Sequence, residues 1–191
     1  MMDTLKKSFL MLIIFMVITG FIYPLCILMV GQWVFPVRAN GSILRDSHGE
    51  QVGSKLIGQK FESAQYFQGR PSACGYDTLP SGATNYGVSN PLWRAQVRQT
   101  IEQYQTVNQL SKGETIPVDA VMSSGSGLDP DISLNNAMLQ SRRIAQERKI
   151  PLSKVQEIIR QQSKKDTGLF QLPLVNVLEL NLELDRQSQG K

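Results

Sequence analysis

SFLMLIIFMVITGFIYPLCILMVGQWVFPV, residues 8–37, holds no charged side chain, and Ser8 to Val30 within it is almost wholly apolar. A helix rises about 1.5 Å per residue, so roughly 20 apolar residues cross the hydrocarbon core of a bilayer. This run is long enough to cross with some tilt and predicts a single N-terminal transmembrane helix. Lys6 and Lys7 abut its start, whereas Arg38 and Arg45 are the nearest positive charges behind it. Positive flanks stay cytoplasmic, which puts the N-terminus inside and the rest of the chain on the far side. The rival reading is a cleaved signal peptide, with Val37-Arg38-Ala39 as a loose cleavage site. The apolar run is far longer than the 7–15 residues of a typical signal core, which favours retention.

Trp33 and Phe35 fall where an aromatic interface belt is expected. Gly20, Pro24 and Gly31 lie inside the run. Proline frees a backbone carbonyl one turn earlier, and small residues admit a neighbouring helix. A kinked anchor standing alone fits the same residues. The predicted organisation is a cytoplasmic tail over 1–7, a transmembrane helix over 8–35 and one periplasmic α+β domain over 36–191.

Of the 20 Lys and Arg and the 16 Asp and Glu, only Lys6, Lys7 and Asp3 precede the span. The remaining small positive excess argues against nucleic acid as a partner and leaves mild attraction to lipid headgroups. The span separates Cys26 from Cys74, which excludes a disulfide between them and leaves Cys74 as a small buried residue rather than a nucleophile. One histidine, His48, sits in a polar turn and cannot make a zinc site with these cysteines. No resident metal is expected.

In the polar part, Ile43 to Val52 reads as two short strands around Ser47-His48-Gly49. Tyr66 to Pro91 reads as an ordered surface loop anchored by Tyr66, Phe67, Tyr76 and Tyr86. Asn90-Pro91 opens a first helix, with Trp93, Val97, Ile101 and Tyr104 facing the core. Lys112-Gly113 is a turn, and Pro117 to Met122 a short strand. A second helix spans about Leu134 to Lys149 with Ser133 as cap, its apolar face formed by Leu134, Ala137, Met138, Ile144 and Ala145. Ser153 and Gln156 predict a capping box for a third helix that points Val155, Ile158 and Ile159 inward. Leu178, Leu180, Leu182 and Leu184 alternate with Glu179, Asn181, Glu183 and Asp185, which predicts a half-buried final strand.

No catalytic constellation stands out. Ser124-Gly125-Ser126-Gly127 lacks the Lys-Ser/Thr of a phosphate loop and reads as a tight connection. Asp129-Pro130-Asp131 reads as a turn entering a helix, with a hard-cation site as the sharper alternative. Arg142, Arg143, Arg148 and Lys149 read as a solvated basic face, with headgroup or acidic-partner contact as the alternative.

These strings closely resemble the KdpC family, the C subunits of the bacterial Kdp potassium-transporting P-type ATPase. The resemblance rests on Tyr66-Phe67-Gln68-Gly69-Arg70-Pro71-Ser72-Ala73, on Ser81-Gly82-Ala83-Thr84-Asn85 with Ser89-Asn90-Pro91, and on Pro117-Val118-Asp119. It continues through Ser124-Gly125-Ser126-Gly127-Leu128-Asp129-Pro130, Gln140, Arg143-Ile144-Ala145 and Val175-Asn176-Val177-Leu178-Glu179-Leu180-Asn181-Leu182. It runs in one order over essentially the whole chain. Cys74 stands where the family tends to have a small residue. The resemblance implies an accessory subunit, not itself an enzyme, in the inner membrane. Its partners would be a channel-like potassium-translocating subunit, a P-type ATPase subunit and a small membrane subunit. It implies a catalytic chaperone that raises the ATPase subunit's affinity for ATP, with Gln140 at the glutamine linked to nucleotide. The outward topology opposes direct contact with cytoplasmic ATP and favours coupling through the membrane helices. A stand-alone anchored periplasmic sensor or binding module is the alternative of a different class.

Overall fold

The computed structural model describes residues 2–111, 113–165 and 173–189, so Lys112 of the expected turn lies outside the described residues. The chain divides into two compact units, one ending at Ile43 and the other beginning at Leu44. The first unit is a helical run over Met2–Val34, long and apolar enough to cross a membrane. It is α1 (Met2–Val17), a π-helical turn (Ile18–Ile22) and α2 (Tyr23–Val34), followed by the short α3 (Pro36–Ala39). The π turn precedes Pro24, which has no N–H and whose ring would collide with the carbonyl four residues back. The extra residue relieves that collision.

The second unit mixes helices with two small sheets. β1 (Ile43–Arg45) and β2 (Gln51–Ser54) form a two-stranded sheet. The Asp46 carboxylate closes their turn by accepting from the His48 and Glu50 amides, each at 2.9 Å. β3 (Asp131–Ser133), β5 (Pro173–Asn176) and β4 (Lys164–Lys165) make an antiparallel sheet in the order β3-β5-β4, with Ile132 opposite Val175. Among the described residues four helices complete the unit: α4 (Pro91–Val107), α6 (Leu134–Arg148), α7 (Leu152–Gln162) and α8 (Val177–Gln189), with α5 (Val118–Val121) as one turn. The core joins Ile132 and Val175 of the sheet to Ala137 and Ile144 of α6, Val155, Ile158 and Ile159 of α7, and Val177, Leu180 and Leu184 of α8. Phe67, from the long loop, is fully buried among them.

Two of the three expected helix starts are in place: Asn90 accepts from the Leu92 amide at 2.9 Å and Ser133 from the Asn136 amide at 3.1 Å. Five local readings are corrected. The final strand is the helix α8, whose buried Val177, Leu180, Asn181 and Leu184 recur at helical spacing. Residues 117–122 form the helical turn α5 instead of a strand. Pro151 precedes α7 and no side chain caps it, so Ser153 lies inside the helix. The Trp93–Tyr104 stripe of α4 is only half-buried, and α4 sends no fully buried residue inward. Of the four aromatic anchors expected to be buried, Tyr86 is exposed.

Candidate functional site

The Tyr66–Arg70 segment has no strand beside it, so its backbone groups need other partners. Two side-chain amides supply them. Asn181 of α8 accepts from the Phe67 amide at 2.8 Å and donates to the Phe67 carbonyl at 3.0 Å. Gln140 of α6 does the same to Gln68, accepting from its N–H at 2.8 Å and donating to its carbonyl at 3.0 Å. Each amide bonds both groups of one residue, as a neighbouring strand would. The loop is thereby sewn to two helices, and Phe67 is driven into the core between them.

Gln140 is 1 % exposed. Its remaining capacity is also used: Nε2 donates to Asn136 Oδ1 at 2.9 Å, and Oε1 accepts from Arg143 Nη2 at 3.0 Å. A glutamine amide offers two donors and two acceptor sites, and here all four are satisfied inside the fold.

Arg143, expected on a solvated basic face, is buried at 3 % exposure. Its guanidinium donates only to neutral acceptors: Asn108 Oδ1 and the Tyr66 carbonyl, both at 3.0 Å, the Ala64 carbonyl, and Gln140. Burial lowers its pKa, opposed by the Tyr104 hydroxyl and Glu147. Arg148 is likewise no free charge. It bonds Asp185 and the Gln65 carbonyl at 2.8 Å each and lies over the Tyr66 ring, 4.9 Å from its centroid. Only Arg142 and Lys149 of that cluster are exposed.

The network continues toward the start of α6. Tyr104 donates to Asn136 Oδ1 at 2.7 Å, and burial raises its pKa, with the Asp119 charge acting in the same direction. Asp119 accepts from the Ser133 amide and hydroxyl at 2.8 Å each and from Asn136 Nδ2 at 3.0 Å. A carboxylate at a helix N-terminus is favoured by the helix dipole, which accounts for Asp119 in α5.

Beside this network lies an open cavity of about 550 Å³. One wall is α4, through Thr100, Gln103, Tyr104 and Val107; the other is the segment from Lys60 to Tyr76, with Gln140 also on the lining. Arg70 on that wall pairs with Asp129 at 2.8 Å, and Tyr76 donates to the Arg70 carbonyl at 2.6 Å. Burial, aided by the Asp129 charge, pushes the Tyr76 pKa up to about 12. The wall is fixed by its own bonds.

The glycine-rich and acidic strings are spent locally. Ser124 Oγ accepts from the Gly127 amide at 3.1 Å, and Ser126 Oγ from the Leu128 amide at 3.1 Å. The turn leads into β3, so no helix N-terminus stands behind it. Asp129 pairs with Arg70 and Asp131 accepts from Asn176, leading into a strand where a helix was expected. Gly127 has φ +74°, and a Cβ there would strike Cys74 Sγ and approach the Gly82 carbonyl at 2.9 Å. Cys74 is half-buried where full burial was expected, and a hydrogen bond with Ser72 holds its thiol below the usual range. Among the described residues no group of His, Cys, Asp and Glu has metal-site geometry. His48 is exposed in its turn.

Comparison with known proteins matches the family described as "K+-transporting ATPase, c chain" over residues 5–186. The KdpC subunit of the potassium-transporting ATPase of Caldanaerobacter subterraneus subsp. tengcongensis is 42% identical over 183 residues, covering 95% of this chain and 94% of its own. KdpC subunit 2 of Staphylococcus aureus (strain Mu50) is 42% identical over 195 residues, covering 97% and 100%. The KdpC subunit of Mycobacterium tuberculosis (strain H37Rv) is 44% identical over 179 residues, covering 92% and 94%. With its N-terminal apolar helix and a match along nearly its whole length, the chain belongs to the KdpC family and is a subunit of a potassium-transporting ATPase complex.

Proposed function

We propose that the chain is a single-span accessory subunit that holds its α+β unit on the outer side of the bacterial inner membrane. It assembles with the potassium-translocating, P-type ATPase and small membrane subunits, and it raises the ATP affinity of the ATPase subunit by indirect coupling. The span is residues 8–35, with 1–7 inside. The observation that carries the indirect mechanism is the saturated Gln140 amide, every donor and acceptor of which is engaged inside the fold. A nucleotide contact would have to break bonds to Gln68, Asn136 or Arg143. The residues present therefore do not fit Gln140 as a nucleotide ligand. They fit it as a positioning residue for the loop.

Indirect action must register as a coupling free energy between two sites, typically 1–3 kcal/mol, or about 5- to 150-fold in affinity. The test is the ATP KM of the purified complex with and without this chain, alongside ATP binding to the chain alone in detergent. The proposal expects a KM that rises at least fivefold without the chain, and no saturable binding to the chain alone. Saturable binding would move the site onto this chain. The 550 Å³ cavity bordered by Lys60 and Arg70 is the observation that favours that second reading. Mass spectrometry of the mature N-terminus tests retention of the span; a chain beginning at Asn40 would remove it.

A further inference from the structure

We propose that the open cavity beside α4 binds a small organic monocarboxylate, held side-on by the Arg70 guanidinium, with the apolar body of the ligand against Phe61, Pro71 and Val107. This site is separate from the coupling to ATP and does not depend on it. Arg70 spends only one of its nitrogens inside the fold: Nη1 donates to Asp129 Oδ2 at 2.8 Å. Its Nε is the one buried side-chain nitrogen or oxygen without a hydrogen-bond partner among the described residues. Nη2 bonds no described residue either. The Nε–Nη2 edge is therefore a free fork of two parallel N–H donors, the geometry that matches the two oxygens of a carboxylate. Buried donors without an acceptor are rare and costly, and an arriving acceptor removes that cost. Arg70 lies on the cavity lining with its side chain 26% exposed. Nε sits just beneath that surface, so a turn of the guanidinium about its bond to Asp129 presents the fork to the ligand. The backbone stays in place, because Tyr76 donates to the Arg70 carbonyl at 2.6 Å.

The charges on the lining select an anion. Lys60 and Glu62 pair with each other at 2.6 Å and cancel. Arg70 is left as the remaining charge on the lining, since its partner Asp129 is not part of the lining. One cation suits a monoanion and falls short of a nucleoside triphosphate. Further donors stand ready: the Gly69 and Arg70 amides and the Gln68 and Gln103 side-chain amides bond no described residue. The apolar part of the lining, Phe61, Pro71, Val107 and Ala120, gives a hydrocarbon or aromatic body somewhere to lie. The volume of about 550 Å³ falls in the range of small-ligand sites, roughly 300–1,000 Å³.

The test uses the full chain in neutral maltoside micelles and 3-(4-fluorophenyl)propionate as probe, with its primary amide as the uncharged counterpart. Binding is read from the fluorine signal of the probe and from the nitrogen-15 signals of the Gly69 and Arg70 amides and of Arg70 Nε. Saturable shifts at these three groups are expected, with a Kd of about 1–10 mM or tighter for a ligand of this size. The amide probe should bind at least tenfold more weakly. Arg70→Lys keeps a cation for Asp129, removes the side-on fork and should weaken the carboxylate at least tenfold. Val107→Trp fills the cavity from a position that is 43% exposed and should abolish binding with the rest of the amide spectrum unchanged. ATP at equal concentration should leave the probe bound, and the fluorine signal should report the same binding in the assembled complex. No saturable shift, equal affinity for the amide probe, or parent affinity in Arg70→Lys or Val107→Trp would overturn the site. Displacement by ATP would make it a nucleotide site, and loss of binding in the complex would assign the carboxylate to a partner subunit's side chain; either result overturns the small-molecule ligand.

Discussion

Replacing Gln140 with alanine separates a structural clasp from a ligand contact. The change removes four hydrogen bonds at once and leaves the Gln68 N–H and one Arg143 N–H without acceptors in a site that is 1 % exposed. A net hydrogen bond contributes about 1 kcal/mol, and an orphaned buried group costs about 1–3 kcal/mol, more next to a charge. The neighbouring cavity lets water repair part of the loss, so Gln140→Ala should destabilise the chain by about 3–5 kcal/mol. The assay is urea unfolding of the full chain in detergent, with amide exchange read at Phe67 and Gln68. A lowered midpoint with faster exchange at Gln68 is expected. In the assembled complex the ATP KM should rise in step with that loosening, and Asn181→Ala, which unclasps Phe67 on the other helix, should raise it too. A Gln140→Ala chain with unchanged stability and exchange but a raised KM would refute the reasoning.

Other outcomes follow from the same contacts. Phe67→Ala empties a fully buried site and should cost about 3–5 kcal/mol, read as a lower thermal midpoint. Ser133→Ala removes the α6 cap and should cost about 1 kcal/mol in the same assay. Tyr76, raised from 10.0 to about 12, stabilises the fold fully below its unfolded value; that contribution is lost as pH rises from about 10 through 12, because the unfolded tyrosine ionises first. Tyr76→Phe should flatten the alkaline fall in unfolding free energy, measured across that window.

The apolar helix, the two side-chain caps and the core faces of α6 and α7 were legible because each is a local pattern. The final element misled because leucine at every second position satisfies a strand, while a helix packed on two neighbours also buries consecutive leucines. The contrary signals were present. Asn176 followed by Glu179 is a helix start, and the Glu179 amide does bond Asn176 Oδ1 at 3.1 Å. Beyond Val177 the segment has no β-branched residue. The site was less legible for a different reason. Gln140, Asn181 and Arg143 act on backbone groups 72, 114 and up to 79 residues distant in sequence, and no spacing rule reports such pairs. Arg143 read as surface because arginines seldom enter a core, and only its four carbonyl and amide acceptor partners explain the exception.

The most direct test of the account is the side of the membrane on which α6 lies. A cysteine at the exposed Gln146, in a chain lacking Cys26 and Cys74, is probed with a membrane-impermeant thiol reagent in cells whose outer membrane alone is permeable. Labelling without disturbance of the inner membrane is predicted. Labelling only after the inner membrane is opened would place the unit beside ATP and contradict indirect coupling.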